Sequence, residues 1–200
     1  MRLVSIVEGD GEVAALPVLL RRLSEWRTPG LYVEIPTPIR VRRDRFLNRD
    51  DEFRRFLLLA AAKSGTDGEI LILLDADDDC PAELSREILD RTEACLGHRR
   101  TSVVLANREY ESWFVAAAES LHGYRGFVFN APEHLDCESI RDAKGWLKTR
   151  IEGGSYGETT DQPAFSARMD LIRAFERSRS FRKLCMEWQR HFSGREGRSS

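Results

Sequence analysis

The hydrophobic pattern changes period several times along this chain, and the changes mark its elements. Residues 3–7 are a short apolar run rich in β-branched side chains that ends in Glu8-Gly9-Asp10-Gly11-Glu12. Residues 13–26 then place apolar side chains at helical spacing, so the segment reads as strand, glycine-rich turn and helix. Pro17 is awkward in that helix, and is tolerated if the helix starts near Ala14 or Leu16, because the first turn has N–H groups without helical partners. Residues 32–41 alternate loosely and carry Pro36 and Pro38, which predicts an extended segment or edge strand. Asp50 or Asp51 is placed to cap a helix through Phe53, Phe56, Leu57 and Ala61 to Lys63, which the turn residues 64–68 end.

Residues 70–74 are an uninterrupted apolar run bounded by turn residues, the pattern of a central parallel strand buried on both faces. The run leads into Asp75-Ala76-Asp77-Asp78-Asp79. Pro81 stands at the start of an expected helix with Leu84, Ile88, Leu89 and Cys95 on one stripe, stopped by Gly97. Residues 101–106 predict another buried strand, followed through Asn107 and Arg108 by a helix over 111–120. Strands alternating with helices at this spacing predict an α/β fold with a mainly parallel sheet covered on both sides. Beyond residue 121 the texture turns to Gly, Pro and aromatic residues, then to helical stretches near 139–151, 165–177 and 180–191, with a loop over 153–157. The expected organisation is a core over 1–120, a helical extension packed on it over 121–193, and a frayed tail over 194–200.

Composition narrows the class. With 200 residues, 42% hydrophobic and 32% charged, the chain can bury one substantial core and is not disordered. Its longest apolar run is too short for a bilayer, and the acidic turn follows Met1 too closely for a signal segment, so a soluble, cytoplasmic protein is expected. Cys80, Cys95, Cys137 and Cys185 are far apart, with no Cys-x-x-Cys pair and no histidine at finger-like spacing; this predicts reduced thiols rather than structural zinc. The net charge of −2 conceals a division along the chain. Arg40, Arg42, Arg43, Arg45 and Arg49 crowd one stretch, Arg173, Arg177, Arg179, Arg182, Lys183 and Arg190 another, and acids dominate 75–79. The two basic groups either hold a phosphate backbone beside a metal site or are ordinary solvated faces.

The candidate chemistry is acidic. Loops leaving the carboxyl ends of parallel strands converge on one crevice, and both Glu8 and Asp75 follow strands. If those strands are neighbours, the carboxylates share a space in which they repel unless a cation neutralises them. Hard oxygen ligands without nearby His or Cys favour Mg²⁺ or Mn²⁺. In an extended segment Asp75, Asp77 and Asp79 point one way and Asp78 the other; alternatively the same aspartates cap the following helix. Glu109 and Glu111 either add ligands for a second metal or serve as cap and salt bridge. Trp113 and Phe114 are expected in the core. Neither Gly-x-Gly-x-x-Gly nor a Walker Gly-Lys-Ser/Thr occurs, so nucleotide cofactors are not expected.

Strand-Glu8-Gly9-x-x-Glu12 with its amphipathic helix, and the later strand-Asp75-x-Asp77, resemble the Toprim superfamily, which includes topoisomerases, primases and nucleases of the overcoming-lysogenization-defect type. More narrowly, residues 7–12 with Ala15-Leu16-Pro17, residues 74–80, residues 107–114, Asp161-Gln162, Met169-Asp170 and residues 178–182 look like the Toprim-like bacterial family of unknown function numbered 4276 (DUF4276). The resemblance covers nearly the whole chain. It implies a four-stranded parallel sheet in a Rossmann-like sandwich, with Glu8 as metal ligand or general acid/base and Asp75 and Asp77 as Mg²⁺ ligands. It also implies an ATPase partner in the manner of prokaryotic phage-defence systems.

The leading expectation is a Mg²⁺-dependent nuclease. Glu8, Asp75, Asp77 and Asp79 would hold the metal, with Glu109 and Glu111 as weaker candidates, and Glu8 or Glu12 would manage protons. Arg40, Arg42, Arg43, Arg179, Arg182 and Lys183 are the candidates for contacting DNA or RNA. The alternative is a regulatory or binding module acting with an ATPase, marked by exposed apolar surface around Phe181, Leu184 and Trp188. The sequence leaves the oligomeric state open, a homodimer included.

Overall fold

A computed structural model of the chain describes residues 1–130 and 135–193; the tail expected over 194–200 lies outside the described residues. Strands β1 (Leu3–Val7), β2 (Ile39–Arg40), β3 (Glu69–Asp75) and β4 (Thr101–Ala106) form one all-parallel sheet in the order β2-β1-β3-β4. Ile6 pairs with Ile39 on one side and Ile72 on the other, and Asp75 pairs with Ala106. The extended segment over 32–41 contributes the two-residue β2 and an isolated bridge from Glu34 to Arg2 at the sheet edge, since Pro36 and Pro38 between them cannot donate to a ladder.

Helices cover both faces. Leu3, Val7, Leu71, Leu73, Val104 and Ala106 pack in one cluster with residues of α1 (Asp10–Arg27), α5 (Ser112–Ala116), α7 (Asp161–Arg168), α8 (Leu171–Arg177) and α9 (Arg179–Phe192). Val4, Ile6, Ile70, Ile72, Leu74, Val103 and Leu105 point the other way, toward α2 (Arg43–Asn48), α3 (Asp50–Ser64) and α4 (Pro81–Leu96). Alternate side chains thus feed opposite cores, and with both faces covered the central strands read as unbroken apolar runs. The helices beyond residue 121 share their core with β1 and α1. Among the described residues no helix is long and apolar enough to cross a membrane.

Several boundaries differ from expectation. Helix α1 starts at Asp10, which leaves Pro17 inside it rather than in its first turn; the proline ring is buried, so packing offsets the hydrogen bond its missing N–H forgoes. Helix α2 forms within the arginine-rich stretch, for which no element was expected. Helix α3 begins at Asp50 with Arg49 in the cap position and no side-chain cap bond. The helix expected over 111–120 is the short α5 followed by a 3₁₀ turn, Ala118–Leu121. In the stretch 139–151 only α6 (Ala143–Lys148) is helical, its start capped by Asp142. The stretch 165–177 is divided at Met169-Asp170, where the Asp170 carboxylate accepts from the N–H groups of Ile172 and Arg173 and starts α8.

Candidate functional site

The chain leaves β1 for α1 on one face of the sheet and leaves β3 for α4 on the other. The loops therefore diverge between two adjacent strands, and a crevice opens at their carboxyl ends. Glu8 follows β1 and Asp75 ends β3, so both enter this crevice. Glu12 joins them from the first turns of α1, and Glu111 from the position preceding α5. Gly9 and Gly11 permit the approach: a Cβ on Gly9 would collide with the Glu12 carboxylate, and one on Gly11 with the Gln162 side-chain amide.

The four carboxylates act on one another. Burial first, then the charges of Glu8, Glu111 and Glu12, holds the Asp75 carboxyl well above the usual range. Glu8 is pushed up to about 7 by burial and by Glu12 and Asp77, against the pull of Arg43 and Lys144. Glu111 is also pushed up to about 7, mainly by burial. Desolvation disfavours the charged form, and like charges nearby add to it.

Neutral donors satisfy only part of the cluster. The Tyr110 N–H donates to Asp75 Oδ1 at 2.8 Å, and Gln162 Nε2 donates to Glu12 Oε1 at 3.1 Å and Glu111 Oε1 at 3.3 Å. The Tyr156 hydroxyl donates to Glu111 Oε1 at 3.0 Å. Glu8 Oε2, Glu12 Oε2 and Glu111 Oε2 are buried and accept no hydrogen bond. Oxygens withdrawn from water without donors are costly, and a cation is the natural remedy. Lys144 supplies part of it: burial works against its charge, but Glu111, Asp75 and Glu158 outweigh burial and raise its pKa.

Arg43 closes the side of the crevice toward α2. Its Nε donates to the Asp75 carbonyl at 3.1 Å and lies 4.0 Å from Glu8 Oε2, while Nη1 is 3.4 Å from Asp77 and Nη2 is 2.5 Å from Asp79. The aspartates do not share the single face expected of an extended segment. Asp77 adopts a left-handed conformation, φ 49°, and turns the chain, so Asp75 is buried while Asp77 and Asp79 face Arg43. Asp78 does point away, to Arg108 at 2.9 Å and Arg141 at 2.6 Å. Glu109 Oε2 accepts from the N–H groups of Ala143 and Lys144, 2.8 and 3.1 Å, and so holds the start of α6, whereas Glu111 is in the crevice. Among the described residues no three Asp, Glu, His or Cys side chains stand ready as a metal shell.

The basic residues divide. Arg40 Nε donates to the Glu8 carbonyl at 3.3 Å and pairs with Asp10 at 3.2 Å, and Arg42 is exposed at the start of α2. Arg179 pairs with Glu138, Lys183 with Glu187, both at 2.5 Å, and Arg182 donates to the carbonyls of Phe175 and Glu176. Arg179 and Lys183 line a cavity of about 630 Å³ between α4 and α9, with Leu89, Val103 and Leu105, away from the carboxylates. Phe181, Leu184 and Trp188 are at most 3% exposed, so the apolar face expected of a docking module is core instead. Trp113 and Phe114 are buried as expected.

Lys144, Tyr156 and the insertion of Arg43 had no sequence signal, because each reaches the crevice from an element whose placement the pattern does not reveal. Gln162 had a weak one, as half of the Asp161-Gln162 pair noted above.

Fold and crevice together define an α/β protein with a buried acidic site at the divergence point of a parallel sheet. A family model described as a domain of unknown function, DUF4276, matches residues 7–187. The chain belongs to that family. No match was found among curated proteins or among solved structures.

Proposed function

We propose that the crevice is the active site of a Mg²⁺- or Mn²⁺-dependent, Toprim-like nuclease that hydrolyses phosphodiesters. One observation carries this reading: four carboxylates crowd a buried crevice, and three of their oxygens have no hydrogen-bond donor. The donor set is hard oxygen with no His or Cys among the cluster, which suits Mg²⁺ or Mn²⁺. Glu8 and Asp75 would hold the ion, with Asp77 freed from Arg43 and with Glu12 and Glu111 as the nearest further donors. When bound, such an ion supplies Lewis-acid polarisation of a phosphate and acidifies water.

The chain's own residues would do the rest. Without metal the Glu8 carboxyl is pushed up to about 7, so binding the ion would displace a proton from it, while Glu12 offers an acceptor at its Oε2 for a proton from water. Arg43 is poised at the mouth, and its planar guanidinium, released from Asp77 and Asp79, matches a phosphate. Lys144 limits the mutual repulsion of the carboxylates while no metal is bound. An ATPase partner and a defence role are carried by the family resemblance alone.

The test is cleavage of DNA and RNA by purified protein in Mg²⁺, Mn²⁺ or EDTA, with wild type and Asp75→Asn. Asparagine retains an acceptor for the Tyr110 N–H, so the fold is kept. We expect metal-dependent cleavage that falls by about 100-fold or more in the variant. Equal cleavage by both proteins overturns the assignment.

A further inference from the structure

A second cavity, of about 350 Å³, lies where the end of β2 meets α2 and α3, and is lined by Arg40, Arg42, Arg45 and Arg55 with Glu52 and Phe56. Four guanidinium groups face one carboxylate there. Arg40 is partly neutralised by Asp10 at 3.2 Å, and Arg45 by Glu52 at 3.9 Å. Arg42 and Arg55 are exposed and form no ion pair among the described residues. The Arg55 guanidinium lies over the Phe56 ring, 4.5 Å from its centroid, which limits the directions it can take. Like charges gathered around a concavity and left uncompensated raise the local concentration of anions.

This cavity is tied to the acidic crevice through neighbouring arginines. Arg40, on its wall, donates to the Glu8 carbonyl, and Arg43, the residue after Arg42, donates to the Asp75 carbonyl. The cations of α9 are placed differently: Arg179, Arg182 and Lys183 are already engaged by Glu138, by main-chain carbonyls and by Glu187.

We infer that this cavity is a binding site for a backbone phosphate of a polynucleotide strand, adjacent to the phosphate held in the crevice, with Arg42 and Arg55 as its direct contacts. The strand then leaves the crevice across β2 and α2 rather than across α9. The inference rests on the nuclease reading only for the identity of the neighbouring phosphate.

The test is binding of a labelled single-stranded oligonucleotide, made as DNA and as RNA, by fluorescence anisotropy in EDTA over a range of salt. The proteins are wild type, Arg42→Ala/Arg55→Ala, and Arg86→Ala as a control at an exposed arginine on α4. Each lost phosphate contact lowers the log–log salt slope by about 0.7 for a single strand, so the double variant should lose about 1.4 of slope and roughly tenfold or more in affinity. Loss with either DNA or RNA supports the site, and the control should match wild type. Unchanged binding by the double variant, equal loss in Arg86→Ala, or no binding by wild type overturns it. Failure of the nuclease reading would look different. If wild type never cleaves, but Arg42→Ala/Arg55→Ala still loses slope, the strand site stands without hydrolysis. If wild type cleaves and the slope is unmoved, only the strand site falls.

Discussion

Glu8 and Glu111 illustrate how position rewrites the chemistry of a side chain. Each has its carboxyl pushed from the ordinary 4.5 up to about 7 in the fold. Between those values the folded, metal-free protein keeps protons that the unfolded chain has released. The corresponding stability is full below about pH 4.5, is lost as pH rises, and changes no further much above 7. Glu119 and Glu187, held low by Arg177 and by Lys183 against the opposing effect of burial, act in a separate window below pH 4.5. Thermal melts of metal-free protein should therefore show a midpoint that falls from pH 5 to pH 8, with a shallower fall in Glu111→Gln. Mn²⁺ should raise the midpoint more at pH 8 than at pH 5. A midpoint independent of pH in wild type would contradict the burial of these groups. That Glu8 and Asp75 were chemically marked could be read from their place after apolar runs. Glu12 lies in the same turn as Glu8 and Glu111 was a candidate from its place after β4, but that they share one crevice with Asp75 and Lys144 could not be read, because four separate segments meet only when α1, α5 and α6 are docked.

Among the elements, α9 shows best why an apolar stripe does not reveal its partner. Its Phe181, Leu184, Trp188 and Phe192 look equally suited to a docking face or to an internal core, and the fold uses them as core. The helix is also tied to the sheet and to the end of α1 by polar contacts. Ser102 of β4 donates to Glu187 Oε2 at 2.8 Å, Trp188 Nε1 donates to Thr28 Oγ1 at 3.1 Å, and His191 Nδ1 is 2.9 Å from Glu69 at the start of β3. Trp188→Ala removes a large buried side chain and leaves a cavity, and the Thr28 hydroxyl loses one of its two hydrogen-bond partners. It should cost about 3–5 kcal/mol in urea denaturation with an unchanged m-value. A loss below about 1 kcal/mol would mean that α9 is a loosely held surface helix. Helix α2 teaches the complementary lesson. Its basic composition suggests a solvated or phosphate-holding face, yet Phe46 buries fully beneath it against Phe53 and thereby aims Arg43 into the crevice.

Taken whole, the molecule has cores on the two faces of one sheet, and the core on the α1 face is assembled from both halves of the chain, Leu3 and Val7 beside Phe165, Phe181 and Trp188. Removal of either half would expose the other's apolar surface. Unfolding in urea should thus give one transition, coincident by tryptophan fluorescence and far-UV circular dichroism. Two separated transitions would show that the C-terminal helices fold as an independent unit. Neighbouring residues alone were enough to define β1, β3 and β4, the α/β class and the acidic strand ends, because hydrophobic period and turn chemistry act over a few positions; β2 they gave only as an extended segment or edge strand over 32–41. The order β2-β1-β3-β4, the left-handed turn at Asp77, whose N–H donates to the Arg108 carbonyl, and the meeting of Glu8, Glu12, Asp75 and Glu111 with Lys144 were decided by tertiary packing. Each of these depends on segments distant in sequence burying one another's surface, and no local pattern encodes which of them will be brought together.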